Sequence, residues 1–178
     1  MGRLIVDAAS SLDGYWADAR GRSVLRNAEL HGAGLSGMLN SACGAVVMGR
    51  RALGLSDDAD WIAEAYPPGT PIFVVADSPS EFLPSATVRF VGTYAQAFAE
   101  AQAAAGDRAV LVVGEAGAIK AALRSGEAAE IWLRVVSRTL GRGDPLFDDG
   151  IPVENYFVSG LDTTADAVHM HLERRHGA

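Results

Sequence analysis

The chain has a single cysteine, Cys43, and a single lysine, Lys120, among its 178 residues. One thiol cannot build an internal disulfide framework or a multi-cysteine zinc site, so stability has to come from an apolar core. A chain of this length buries roughly 70% of its unfolded surface, which makes such a staple unnecessary. Long hydrophobic runs are also lacking. The first apolar run, in MGRLIVDAASS, is broken by Asp7. That is too short for a signal-peptide core, and no stretch approaches the ~18 uncharged apolar residues of a membrane span. Basic charge is scarce as well: 15 Lys and Arg stand against 22 Asp and Glu, a formal charge of −7 and a pI near 5.0. With no Lys/Arg run, the chain lacks the electrostatic footprint of a nucleic-acid binder. What is present is ordinary globular usage, 49% hydrophobic and 21% charged residues, far from the composition of disorder. The expectation is one domain over residues 1–178, cytoplasmic, without a nucleic-acid or membrane partner.

Short apolar runs alternate with helix-length stretches. Residues 3–10, 45–49, 71–77, 86–92, 108–114 and 130–136 read as buried strands bounded by turn residues. A helix is expected from Asn27 to about Ser41, with Asn27 as its cap and Glu29 in its first turn. A second, Ala-rich helix follows Thr93 to about Ala105, and a third spans 118–126, closed by Gly126. Residues 11–23 read as a loop and 54–71 as a surface excursion carrying Trp61 and the acidic cluster Asp57, Asp58, Asp60 and Glu64. The tail, 154–161 and 166–174, reads as a hairpin around Asp162-Thr163-Thr164. Its Val168, Met170 and Leu172 alternate with His169 and His171, the period of a sheet with one wet face. Together these imply an α/β fold: a mostly parallel central sheet, helices on both faces, and a C-terminal antiparallel hairpin.

In such a sheet, ligands bind beyond the carboxyl ends of the strands, where helix N-termini present unpaired N–H groups. Three ends carry suggestive residues: Ser11 to Ala17, then Gly49-Arg50-Arg51, then Gly114-Glu115-Ala116-Gly117. Glycine between strand and helix lets a phosphate approach the backbone closely, and arginine can grip it bidentately. Each junction alone has a plainer reading as a steric solution.

Taken in order, SLDGYWA, VVMGRR, VVGEAGAIKAAL and EIWLRVVSRTLGRGDPLF resemble the dihydrofolate-reductase-like family, in particular the reductase domain of bacterial riboflavin biosynthesis and its stand-alone relatives. The resemblance implies a three-layer fold, a homodimer, and hydride transfer from NADPH or NADH to a small planar heterocycle, carbonyl or imine. It implies that Ala9, Trp16 and Ala17 lie near the nicotinamide and that Gly49, Arg50 and Arg51 face the adenosine phosphates. Asp77 and Ser78 would sit near the adenine, and Gly114, Glu115, Ala116 and Gly117 would cradle the pyrophosphate. Asp13 and Glu29 would be the carboxylates nearest the substrate.

The chain departs from the family pattern at Glu115, where a second glycine is usual, at Ala52, which lacks a hydroxyl, and at Asp77. No arginine lies between Asn27 and Ser41 to hold a substrate phosphate, so a neutral or aromatic substrate fits better. These departures raise a rival reading, a small-ligand-binding protein without catalysis. Plainer roles also compete at single positions. Asp13 suits a Leu-Asp-Gly turn, Glu29 a first helical turn, Trp16 and Trp61 simple packing. His169 and His171 lack a third metal ligand nearby in sequence, and Cys43 reads as an inert core thiol.

Overall fold

The computed structural model describes residues 2–25, 35–53, 65–76 and 87–175. Ten strands are described: β1 Leu4–Ser11, β2 Tyr15–Asp18, β3 Cys43–Gly49, β4 Ile72–Val75, β5 Val88–Val91, β6 Ala109–Val113, β7 Ala128–Val136, β8 Gly143–Pro145, β9 Tyr156–Thr163 and β10 Ala167–Arg174. The helices are α1 Leu35–Ala42, α2 Arg50–Leu53, α3 Tyr94–Ala105 and α4 Ala116–Ser125. Eight strands form one sheet in the order β5-β4-β3-β6-β1-β7-β10-β9, and β2 pairs with β8 in a separate ribbon. The strands run parallel except β10, which is antiparallel to both β7 and β9.

Burial explains the strand sequences. Every residue of β3 is buried, and β1 is buried throughout except at Asp7, because central parallel strands are covered on both faces and need apolar side chains on both. On one face Leu4, Val6, Val47 and Val112 pack with Phe98 of α3 and Ile119 and Leu123 of α4. On the other, Ile5, Val46, Met48 and Leu111 pack with Leu39 of α1, Ala52 and Tyr66. This is the three-layer α/β arrangement expected from the alternating pattern.

Helix ends follow local chemistry. The Thr93 side chain accepts a hydrogen bond from the Gln96 N–H at 3.2 Å, which fixes the start of α3. Gly126 ends α4 in the left-handed conformation, φ 73°. At the start of α4 the cap residue is Glu115, whose side chain makes no capping bond.

Three expectations change. The stretch 11–23 contains a strand, β2, which pairs antiparallel with β8. In the tail, β9 continues through Thr163, so the hairpin turn falls on residues 164–166 and is closed by Thr164 N–H to Ala167 O at 2.9 Å. The histidine face of β10 is half-buried: His171 stacks on Trp132 at 4.1 Å and its Nε2 lies 2.9 Å from Glu130 Oε2. Glu29, Trp61, Asp77, Ser78 and the acidic cluster of 57–64 lie outside the described residues. No helix among the described residues is long and apolar enough to cross a membrane.

Candidate functional site

Because β3, β6 and β1 are neighbours in the sheet, their carboxyl ends open side by side. They converge on one cavity of about 80 Å3, lined by Ala8 and Ala9 of β1, Trp16 of β2, Ala52 of α2 and Gly114 after β6. A single water needs about 10–15 Å3 on the same measure. The cavity therefore has room for a small flat ring. Its wall is rigid. Trp16 is 2% exposed, the Arg51 guanidinium lies 5.2 Å from its ring centroid, and Arg51 Nη1 also pairs with Asp144 Oδ2 at 3.1 Å. Gly114 has φ 91°, and a Cβ there would lie 2.3 Å from the Ala52 Cβ, so only glycine lets the β6–α4 turn press against α2.

A second hollow lies where β3 ends against the start of α4. It is filled by the protein itself. The Tyr94 hydroxyl donates to Glu115 Oε1 at 3.0 Å, and that carboxylate rests on Gly49. A Cβ on Gly49 would sit 1.8 Å from Glu115 Oε1 and 2.3 Å from its Cδ, while a Cβ on Gly117 would be 3.5 Å from the same Oε1. Glu115 Oε2 is buried without a hydrogen-bond partner among the described residues. Burial, followed by the adjoining Glu115 carboxylate, pushes the Tyr94 phenol well above its ordinary value, so Tyr94 stays a neutral donor.

No family model matches the chain, and no curated protein matches it. Among solved structures, a protein assigned to riboflavin biosynthesis from Shewanella sp. PV-4 superposes with a TM-score of 0.69 at 24% identity, covering 97% of this chain and 99% of the other. A diaminohydroxyphosphoribosylaminopyrimidine deaminase/5-amino-6-(5-phosphoribosylamino)uracil reductase from Thermotoga maritima superposes with a TM-score of 0.67 at 16% identity. That match covers 98% of this chain, which spans 57% of the Thermotoga protein. The fold is dihydrofolate-reductase-like.

Within that fold, the residues singled out from sequence separate into groups. Ala9, Trp16 and Gly114 line the cavity. Gly49, Glu115 and Gly117 form the filled hollow. Ala17, 0% exposed, is packed behind Trp16 in the β2–β8 ribbon, and Ala116 is buried at the start of α4. Arg50 is solvent-exposed, and Arg51 is engaged with Trp16 and Asp144. Asp13 stands apart from the cavity lining. Its carboxylate accepts from Ser11 Oγ at 2.5 Å and from the Leu140 and Gly141 N–H groups, tying the first turn to the loop before β8. The Ser11 hydroxyl and these backbone donors hold the Asp13 carboxyl below its ordinary value.

Two charged residues that sequence reasoning did not single out lie on the cavity wall, Asp7 and Arg134. They come from adjacent parallel strands in which Asp7 stands opposite Trp132 and Ala9 opposite Arg134, so all four side chains share one face. Tyr66, also on the wall, is 8% exposed. Burial and then the nearby Asp7 charge push its phenol up. The sequence did carry a signal: one charged residue in each of two apolar strand runs, LIVDAAS and IWLRVV.

Proposed function

We propose that the chain is an oxidoreductase that reduces a small, flat, uncharged substrate held beside Trp16. The observation that carries this reading is the convergence of β1, the end of β6 and α2, which follows β3, on one cavity where Ala8, Ala9, Ala52 and Gly114 leave room beside Trp16, a setting in which a flat ring can lie. The reductase named among the similar structures supports the same reaction class. The groups that would hold a nicotinamide dinucleotide are Ala9, Trp16 and Ala17 at the ring end, and Gly49, Arg50, Arg51 and Gly114–Gly117 at the phosphate end. When bound, such a cofactor supplies the hydride. At the ring end Ala9 and Trp16 line the cavity, and Ala17, fully buried, does not. The phosphate end does not fit the dinucleotide, because the Glu115 carboxylate lies on Gly49, so no chemical step is derived through it.

In this proposal the chain's own part is placement. Trp16 offers a flat apolar face held by Arg51, and the charged side chains of Asp7 and Arg134 line the same cavity. Asp7 replaces Asp13 as the carboxylate next to the ligand in this proposal, because Asp7 lines the cavity and Asp13 does not. The exposed Phe157, Val158 and Leu161 on the edge strand β9 support self-association into a dimer.

A second reading, a small-ligand-binding protein without catalysis, is favoured by the same filled hollow. NADPH and NADH titrated against tryptophan fluorescence separate the two. Saturable quenching by either supports the reductase. No quenching at millimolar cofactor, in the wild type and in Glu115→Ala alike, leaves the ligand-binding reading.

A further inference from the structure

We infer that Glu115 is a built-in occupant of the site's anion hollow, so that this chain's crevice is closed to pyrophosphate until the Glu115 side chain leaves. The inference rests on reading the hollow as the phosphate end of the proposed site, and its test separates the two.

The geometry is that of an anion in a cradle. Two glycines, Gly49 at the end of β3 and Gly117 in the first turn of α4, leave open the space their side chains would take. The carboxylate lies in the space a Cβ on Gly49 would take, 1.8 Å from that position, and only at ordinary contact distance, 3.5 Å, from the corresponding position on Gly117. The N-terminus of α4 favours negative charge there, and Tyr94, at the start of α3, donates to it at 3.0 Å. Among the described residues Tyr94 is the carboxylate's one hydrogen-bond partner, and Oε2 is buried with none. Here an acid takes up the room left by Gly49, with the start of α4 beside it. A phosphate and the carboxylate cannot share this space, since both are anions and the hollow is already in contact with Glu115 on two sides.

Specificity follows. With Glu115 in place the chain admits to its crevice only a ligand without a phosphate at this end. With Glu115 swung to solvent, the same hollow becomes a phosphate site. The residue therefore selects between a small neutral ligand and a dinucleotide.

The test measures ADP-ribose and NADPH binding by calorimetry to the wild type, Glu115→Ala, Glu115→Gly and Tyr94→Phe, with thermal unfolding to confirm that each folds. ADP-ribose probes the hollow alone and NADPH the whole site. ADP-ribose affinity should rise at least tenfold in Glu115→Ala and Glu115→Gly, with Tyr94→Phe, which only loosens the carboxylate, lying between them and the wild type. Equal affinity in all four proteins, or no ADP-ribose binding in any, overturns the inference. If the wild type binds NADPH tightly and Glu115→Ala changes nothing, the occupant idea fails and the reductase reading stands. If the variants gain ADP-ribose but NADPH binds no better and leaves tryptophan fluorescence unchanged, Glu115 keeps its role and the reductase reading fails.

Discussion

Replacing Gly49 by alanine places a methyl group where the Glu115 carboxylate lies, 1.8 Å from Oε1 and 2.3 Å from Cδ, so one of the two has to move. Gly49 is not among the residues of positive φ, and alanine meets no backbone strain there. The glutamate, long and flexible, yields first. Its departure removes the hydrogen bond from Tyr94, about 1.5–3 kcal/mol for a charged acceptor. It also returns water to Oε2, whose unpartnered burial costs about 1–3 kcal/mol. These nearly offset, so Gly49→Ala alone lowers stability by only about 1 kcal/mol, or ~2–4 °C in Tm for a chain of this size. In a Glu115→Ala background the carboxylate is gone, and only the Tyr94 hydroxyl, 2.8 Å from the new Cβ, has to adjust. There the alanine is neutral or stabilising by about 0.4–1 kcal/mol through the unfolded state. Urea unfolding of the four proteins closes the cycle with a predicted coupling of about 1–2 kcal/mol between positions 49 and 115. Additivity within about 0.5 kcal/mol would refute the contact, and a loss above about 3 kcal/mol from Gly49→Ala alone would show that Glu115 cannot leave.

Gly114→Ala should be more damaging and indifferent to position 115. It combines φ 91° with a Cβ 2.3 Å from that of Ala52, about 2–5 kcal/mol of strain and overpacking, and a loss under 1 kcal/mol in denaturant unfolding would contradict this. Asp13 and Asp18 are held below their ordinary 3.8, Asp13 first by the Ser11 hydroxyl and Asp18 first by the Arg22 backbone N–H. A depressed folded-state value gives stability that is present above the unfolded value and lost as pH falls through the folded one. Asp13→Asn should therefore flatten the fall of Tm below about pH 4, and an unchanged slope would remove Asp13 from that role. Burial pushes the Cys43 thiol up to about 11, so a thiol reagent at pH ~8 should label it only on unfolding, and prompt labelling of the native protein would contradict its burial.

Much of the architecture was legible in the chain because local chemistry and tertiary structure agree there. Thr93 followed by an alanine run gives α3, and the Gly126 stop closes α4 as read. Apolar runs gave the central strands, since burial on both faces leaves no alternation to find. The ribbon of β2 and β8 was missed because Tyr15–Asp18 and Gly143–Pro145 carry turn residues and no strand period. They are strands only because they pair with each other across the loop. Ala9 and Trp16, which the family resemblance implied at the nicotinamide, and Gly114, which it implied at the pyrophosphate, line one cavity. Asp7 and Arg134 were passed over because a single charge in an apolar run breaks the pattern instead of forming one. The direction of the Glu115 side chain could not be read at all. It is set by the missing Cβ of Gly49 and the hydroxyl of Tyr94, both distant in sequence.

The central claim is that one crevice at the strand ends joins a ring-sized cavity to an anion hollow that Glu115 now occupies. A crystal structure of Glu115→Ala with NADPH tests it most directly. The pyrophosphate should lie between Gly49 and Gly117 with the nicotinamide against Ala9 and Trp16. A dinucleotide bound elsewhere on the molecule, or an empty hollow at saturating NADPH, would contradict the account.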